Sequence, residues 1–309
     1  MATPRPVTIV IPVYADWPSL KDCLDGLIRT VDLKRHKVIL VNDSGPQADL
    51  LEKKIQAKVG NRPAFEYYRN PKNLGFVGTC NRAVLELDKT NNDVLLLNSD
   101  TKPTAGWLEE MIAVLNISSK NAAVSPRSNN ASIATVPLST AINKGIALKA
   151  SYAIYQAIKP KLPRYYITPI AHGFCLLLRR SLINRYGMFD PIFGRGYGEE
   201  VDWCRRLAAH GYRCLFANRA YIFHLEARGF SAKTKAKLIA DHNKIIWRRY
   251  PDYRQAVRDW MDKMVPFETS IEKAAGFHAE PKAHGLRGAL KRSPPLYRLA
   301  RGLYRRLKP

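Results

Sequence analysis

Four short apolar runs, each followed by a stretch of helical period, fill the first 116 residues and leave few folds open. "VTIVIPV" (7–13) is a continuous β-branched run, the composition of a strand buried on both faces. A helical stretch follows from Pro18 to about Thr30, with Leu20, Leu24, Leu27 and Val31 on one side. "KVILVN" (37–42), "AFEYYR" and "DVLLLN" repeat the strand pattern. "ADLLEKKIQAKV", "FVGTCNRAVLEL" and "AGWLEEMIAVL" repeat the helical one. Strands alternating with helices predict an α/β fold: a mostly parallel sheet flanked by helices. Ligands of such sheets gather at the carboxyl ends of the strands.

Later segments are less regular. Residues 125–170 begin as a polar loop, "SPRSNNASIATVPLST", continue as one helix in "IALKASYAIYQAIKP", and break at "PKLPRYY". They read as an insertion beside the site. "GFCLLLRR" (173–180) predicts a strand, "EEVDWCRRLAAHG" a helix ending at Gly211, and "YRCLFAN" and "AYIFH" two short strands. The expected division is an α/β domain over 1–230 and a basic helical region over 231–309.

Charge narrows the partners. Fifty Lys and Arg against 26 Asp and Glu give a net +24, a field that favours polyanions, phosphorylated ligands or an anionic membrane surface. Residues 228–309 hold 20 basic and 7 acidic side chains, and residues 281–309 hold no acid. In "KRSPPLYRLARGLYRRLKP", Leu296, Leu299, Ala300, Leu303, Tyr304 and Leu307 form one helical stripe opposite Arg298, Arg301, Arg305, Arg306 and Lys308. That pattern suits an anionic cytoplasmic leaflet, and equally a catalytic domain or second subunit to pack on. Nucleic acid is the weaker expectation, because no recognised module interleaves aromatics with these cations. Five scattered cysteines without CxxC spacing predict reduced core thiols. "MATPRPVTIVIPVYADW" lacks the basic start and cleavage site of a signal peptide, and no run approaches the ~18 apolar residues of a span, so a cytoplasmic, membrane-peripheral protein is expected.

Polar residues collect at the predicted strand ends: Asn42-Asp43, Asn98-Ser99-Asp100 and His224. Carboxylates and an imidazole there suit a hard divalent cation, Mg2+ or Mn2+, that leaves positions for phosphates. Singly, each has a plainer reading. Asp43 forms the turn in "NDSG", Asp100 caps the next helix, and His224 is a core histidine. Asn73 and Asn81 are then a loop and a helix residue, and Gly75 permits tight packing.

Taken in order, the segments resemble family-2 glycosyltransferases of the GT-A fold, especially the bacterial rhamnosyltransferase-like branch. "VTIVIPVY", "VILVNDSG", "RNPKNLGFVGTCNRAV", "LLLNSDTKP", "GFCLLLRRSLINRYGMFDPIF" and "YGEEVDWCRRLAAHGYR" carry the resemblance, which covers roughly residues 6–230. It implies an inverting transfer from a nucleotide-diphospho-sugar (UDP, dTDP or GDP) to a saccharide or lipid-linked hydroxyl in cell-surface glycan synthesis. Pro12, Tyr14, Asp43, Asn73, Gly75, Asn81, Asn98, Ser99 and Asp100 would bind nucleotide or donor. Asp100 stands at the last acid of the family's Asp-x-Asp element, and with His224 would hold the metal; Asn98 replaces the first acid. His172, Gly173 and Asp202 would line the donor or acceptor pocket. Glu200 matches the family's aspartate base with one extra methylene, and Glu199 precedes it. A non-catalytic sugar-nucleotide scaffold is the alternative that Asn98 and Glu200 keep open. A second copy of the chain, held through the C-terminal helices, is a further expected partner.

Overall fold

The first half folds as its periods dictate. The computed structural model describes residues 4–136, 148–225 and 232–274. Strands β1 (Val7–Val13), β2 (Lys37–Asn42), β3 (Phe65–Arg69) and β4 (Asp93–Leu97) alternate with helices α1 (Trp17–Thr30), α2 (Ala48–Val59) and α3 (Gly75–Arg82). β1 pairs in parallel with β2 and β4, and β2 with β3. Alternation sorts the strand residues onto two faces. Ile9, Ile11, Leu40 and Leu95 pack with Leu20, Leu24 and Leu27 of α1 and Ile55 of α2. Val10, Ile39, Val41 and Leu96 pack with Val77 and Cys80 of α3. Both faces are covered, which is why these strands read as unbroken apolar runs.

Beyond β4 the sheet is mixed. The later elements are β5 (Thr101–Pro103), α4 (Trp107–Leu115), β6 (Asn121–Arg127), α5 (Leu148–Ile158), β7 (Tyr165–Thr168), β8 (Cys175–Leu178), α6 (Arg180–Tyr186), α7 (Glu199–Ala208), β9 (Arg213–His224), α8 (Ala232–Arg249) and α9 (Tyr253–Ala274). Among the described residues the strand order is β3-β2-β1-β4-β8-β6-β9-β5, with β7 beside β9. β8 runs antiparallel to β4 and β6, β6 parallel to β9, and β5 and β7 antiparallel to β9.

The described part of the inserted region is more regular than its polarity suggests. Residues 125–127, expected as loop, complete β6, and "YYIT" forms β7. The two short strands expected near residues 212–224 are one, β9. The polar "NR" between them is a bulge: Pro126 pairs with Ala217, but Arg127 pairs with Tyr221. The buried Arg127 Nε donates to Asn218 Oδ1 at 2.7 Å, so the interruption is satisfied inside the sheet.

The described part of the C-terminal region docks on this body. Ile246 of α8 enters the second core cluster and Trp260 of α9 the first. Trp260 Nε1 donates to the Ile167 carbonyl at 3.2 Å. The basic stripe from Leu296 to Lys308 lies outside the described residues. All five cysteines are buried and unpaired with one another. Among the described residues no helix is long and apolar enough to cross a membrane.

Candidate active site

The carboxyl ends of β1 and β2 carry the first group. Pro12 sits in β1 opposite Val41. Tyr14, just past β1, lies so close to Gly45 that a Cβ there would fall 2.9 Å from its ring. Asp43 donates its amide to the Val13 carbonyl at 2.7 Å, which sets it directly beyond β1. Its side chain is buried and heavily bonded. Oδ1 accepts from Asn70 Nδ2 and from the Leu74 amide, both at 2.7 Å, and Oδ2 accepts from the Gly75 amide at 3.0 Å. Both oxygens are thereby occupied by N–H donors. Asp43 is therefore the knot that ties segment 70–75 to β2. Asn73 helps, accepting from Gly75 N at 3.1 Å through Oδ1.

Asn70 was not legible in the sequence. Its Nδ2 serves both Asp43 and Thr79 Oγ1 (2.8 Å), and its Oδ1 accepts from Arg82 at 2.6 Å. Asn81 clasps the Phe189 backbone from both ends of its amide, at 2.8 and 3.2 Å.

The second group stands where β4 passes into β5. Asn98 and Ser99 are half-buried; the Asn98 amide donates to Phe174 O at 2.9 Å. Thr101 is paired with His224 across β5 and β9, so strand register sets Asp100 beside the imidazole. Asp100 Oδ1 lies 3.5 Å from His224 Nε2. His224 Nδ1 lies 2.8 Å from the Asn130 carbonyl. A carbonyl only accepts, so Nδ1 carries a hydrogen, and Nε2 is the ring nitrogen that faces Asp100. The ring also stacks on Phe174, centroids 5.1 Å apart.

This pair fits a divalent ion. With bonds of about 2.1 Å to each atom, one ion can touch two donors that are 3.5 Å apart. The backing carbonyl on Nδ1 is the usual support for a metal-bound histidine. Among the described residues no third His, Cys, Asp or Glu joins them. The remaining coordination positions would fall to phosphate oxygens and water.

The third group opens α7. Loop 194–198 leads into it with four residues of positive φ: Gly194, Gly196, Tyr197 and Gly198. The loop lies on the first turn of α3, where Gly194 O accepts from Val77 N at 3.0 Å. His242 Nδ1 of α8 meets the Tyr197 carbonyl at 2.8 Å. Glu200 accepts from Gly198 N at 3.3 Å. Its carboxyl lies against Gly173, where an added Cβ would come within 3.5 Å of Cδ. Burial raises the Glu200 pKa above the usual carboxylate range. Burial, and then the neighbouring Glu200, raise that of Glu199 well above it.

His172 links the second and third groups. It exchanges bonds with Ser125, its N accepted by Oγ at 2.8 Å and its carbonyl accepting from Oγ at 2.9 Å. Burial, then the His224 and Lys235 charges, push its pKa down to about 3 and keep the ring neutral. A chain of contacts therefore runs from Asp100 and His224 through the buried Phe174 and its neighbour Gly173 to Glu200. Burial, and then the Glu199 and Asp43 charges, raise the pKa of the Cys80 thiol well above its usual value. Asp202 does not join them. It accepts from Arg249 Nη1 at 2.7 Å and Tyr250 Oη at 2.9 Å, and so holds α8 to α7.

Comparison with known proteins gives the family and the fold. The sequence profile of Glycosyl transferase family 2 matches residues 8–187. The chain is 27% identical over 279 residues to the pre-mycofactocin glycosyltransferase of Mycobacterium tuberculosis, in strains CDC 1551 / Oshkosh and ATCC 25618 / H37Rv. That alignment covers 90% of this chain but 49% of the relative, so the chain spans about half the length of the curated relatives it matches. The fold is shared with three solved structures. The mannosyltransferase PcManGT of Pyrobaculum calidifontis, solved with GDP-Man and Mn2+, has a TM-score of 0.58 at 17% identity, covering 98% of this chain and 81% of that one. GalNAc-T7, solved with UDP, GalNAc and Mn2+, has a TM-score of 0.58 at 15% identity, covering 88% and 54%. TarS 1–349 of S. aureus, solved with UDP-GlcNAc, has a TM-score of 0.53 at 14% identity, covering 90% and 76%. The architecture is GT-A.

Proposed function

Because the chain belongs to glycosyl transferase family 2, we propose that it moves a sugar from a nucleotide-diphospho-sugar to a hydroxyl of a saccharide or lipid-linked saccharide, with inversion at the anomeric carbon. The observation that carries this reading is the Asp100–His224 pair, 3.5 Å apart, with Glu200 reached from it across Phe174 and Gly173. Two opposed needs of glycosyl transfer are charge stabilisation at the leaving diphosphate and a base at the incoming hydroxyl. Each need has its residues here.

At the nucleotide end, Tyr14 and the Asp43-bound segment 70–75 form a preorganised seat for the base and ribose. Asp100 and His224 would hold Mg2+ or Mn2+, which when bound supplies Lewis-acid neutralisation of the diphosphate. The family's first acid is Asn98 here, which leaves Asp100 as the acidic ligand of that element. At the other end, Glu200 takes the acceptor proton as the hydroxyl oxygen bonds to the anomeric carbon and the bond to the diphosphate breaks. Its raised pKa strengthens it as a base. The helix start and the Gly198 amide stabilise it once ionised.

In this reading residues 1–230 form the catalytic domain, and 231–309 a basic helical region that brings the enzyme to an anionic membrane carrying the acceptor. The neighbours' Mn2+ and their UDP- and GDP-linked ligands support the choice of cofactor and donor class. The test is turnover on a panel of UDP-, dTDP- and GDP-sugars with Mn2+ and a lipid-linked acceptor extract. Transfer is expected for one donor class and is lost in Glu200→Gln. Nucleotide binding with neither transfer nor donor hydrolysis would instead identify a non-catalytic scaffold.

A further inference from the structure

His224 is held from both sides of β9. On the β5 side Thr101 pairs with His224, and the Leu225 amide donates to the Asp100 carbonyl at 2.9 Å. The acid and the imidazole are thereby tied through the main chain. On the β6 side the sheet stops short. The last pair there is Arg127 with Tyr221, three residues before His224. Without a further strand residue, the N–H and C=O of His224 would have no sheet partner on that side.

Asn129 supplies that partner with its side chain. Oδ1 accepts from the His224 amide at 2.9 Å, and Nδ2 donates to the His224 carbonyl at 3.3 Å. The His224 N–H can only donate, so it is the amide oxygen that meets it. One side-chain amide thus repeats what the next residue of β6 would have offered. The following residue takes the ring, with the Asn130 carbonyl 2.8 Å from His224 Nδ1. Asn129 is buried, and loop 128–136, which carries it, is closed by its own bonds. Ser128 N donates to Ala134 O at 3.2 Å, Val136 N to Ser128 O at 2.9 Å, and Arg127 Nη1 to Ile133 O at 3.3 Å. A support that is itself fixed holds a functional side chain to narrow limits.

We propose that Asn129 is a positioning residue for the transfer reaction: its amide fixes the His224 main chain so that Nε2 stands 3.5 Å from Asp100 Oδ1. The inference rests on the reading of Asp100 and His224 as ligands of a divalent ion, and deepens it by naming a residue that acts on the ion only through His224. Removing Asn129 keeps both ligands in the chain but frees the end of β9 on its β6 side.

Asn129→Ala removes both bonds, and Asn129→Ser is a milder cut should the alanine variant not fold. Asn121→Ala is the control. This buried asparagine at the opposite end of β6 also donates to a main-chain carbonyl, that of Val114, at 3.0 Å. The first measurement is hydrogen exchange without metal. The His224 amide is expected to exchange at least about tenfold faster in Asn129→Ala than in the parent or Asn121→Ala. A rate equal to the parent's in a folded Asn129 variant overturns the proposal.

The second measurement is Mn2+ affinity, read from the electron paramagnetic resonance signal of the free ion. Asp100→Asn marks the site, because binding that it abolishes belongs to the pair. Asn129→Ala is expected to weaken that binding about tenfold or more, and Asn121→Ala to leave it unchanged. In the turnover assay, activity lost in Asn129→Ala should return at raised Mn2+, whereas that lost in Glu200→Gln should not. Asp100-dependent binding that is unaltered in a folded Asn129 variant overturns the role of Asn129 alone. Mn2+ binding indifferent to Asp100→Asn overturns the metal reading, and this role with it.

Discussion

Gly75 and Asp43, 32 residues apart, are joined by a 3.0 Å bond from the Gly75 amide to Asp43 Oδ2. That bond closes a small ring of structure at the end of β2. The start of α3 is thereby tied to the strand edge before any nucleotide arrives.

Asp43→Asn tests the ring. Both carboxylate oxygens accept from N–H groups, so either orientation of an amide turns at least one bond into donor facing donor. The expected loss is about 2–3 kcal/mol of stability in urea titration. Nucleotide affinity, read by calorimetry, should fall with it. A variant as stable as the parent would show that Asp43 serves the ligand alone.

Gly75 and Gly106 make a matched pair. Both hold positive φ, +74° and +71°, but a Cβ at Gly75 would lie 2.9 Å from the Gly194 carbonyl oxygen, whereas at Gly106 it meets nothing within 4 Å. Gly106→Ala is expected to cost about 1 kcal/mol from backbone strain. Gly75→Ala should cost about 2–3 kcal/mol and also lower kcat, because it pushes on the loop that launches α7. Equal effects on both stability and kcat would remove the role of that contact.

Metal dependence can be read without turnover. Asp100→Asn and His224→Ala are each expected to weaken nucleotide-diphosphate binding about tenfold or more in Mn2+. In EDTA the parent and both variants should bind alike. Unchanged Mn2+-dependent affinity in both variants would place the ion elsewhere.

Acid should unfold the protein partly through His36. The ring is buried and accepts from the Val7 amide at 3.0 Å through Nδ1. Burial, then the Arg35 charge, push its pKa down to about 4. A depressed histidine pKa means that the unfolded chain takes the proton first, so stability is complete above about 6.5 and is lost as pH falls toward 4. The expected loss is about 2 kcal/mol, measured as urea midpoints across that window. His36→Asn keeps an acceptor on the chain and should flatten the dependence by nearly one proton.

The parallel half of the fold was legible because its physics is local. β1 and β2 occupy the residues their apolar runs mark, and α1 begins one residue before Pro18. The mixed half was not, because long-range pairing overrides local polarity there. "SPR" looks like loop, yet Ser125 is bonded to His172 and Arg127 Nε donates to Asn218. In the site, the ordered motifs marked Asp100, His224 and Glu200; the structure sets Asp100 beside His224 and Glu200 against Gly173. Asn70 gave no signal apart from its neighbours, since its importance lies in three partners distant in sequence. Asp202 shares the acidic turn of Glu199 and Glu200 but not its direction, and only the packing of Arg249 and Tyr250 reveals that.

α7 starts at Glu199 and β9 finishes at His224, and the chain between them turns through Gly211, whose φ is +79°. β9 is locked into the sheet by β5, β6 and β7, and α7 is braced by Arg249 and Tyr250 through Asp202. A side chain introduced at Gly211 would therefore keep its strain within the turn and leave both ends of this segment where they stand.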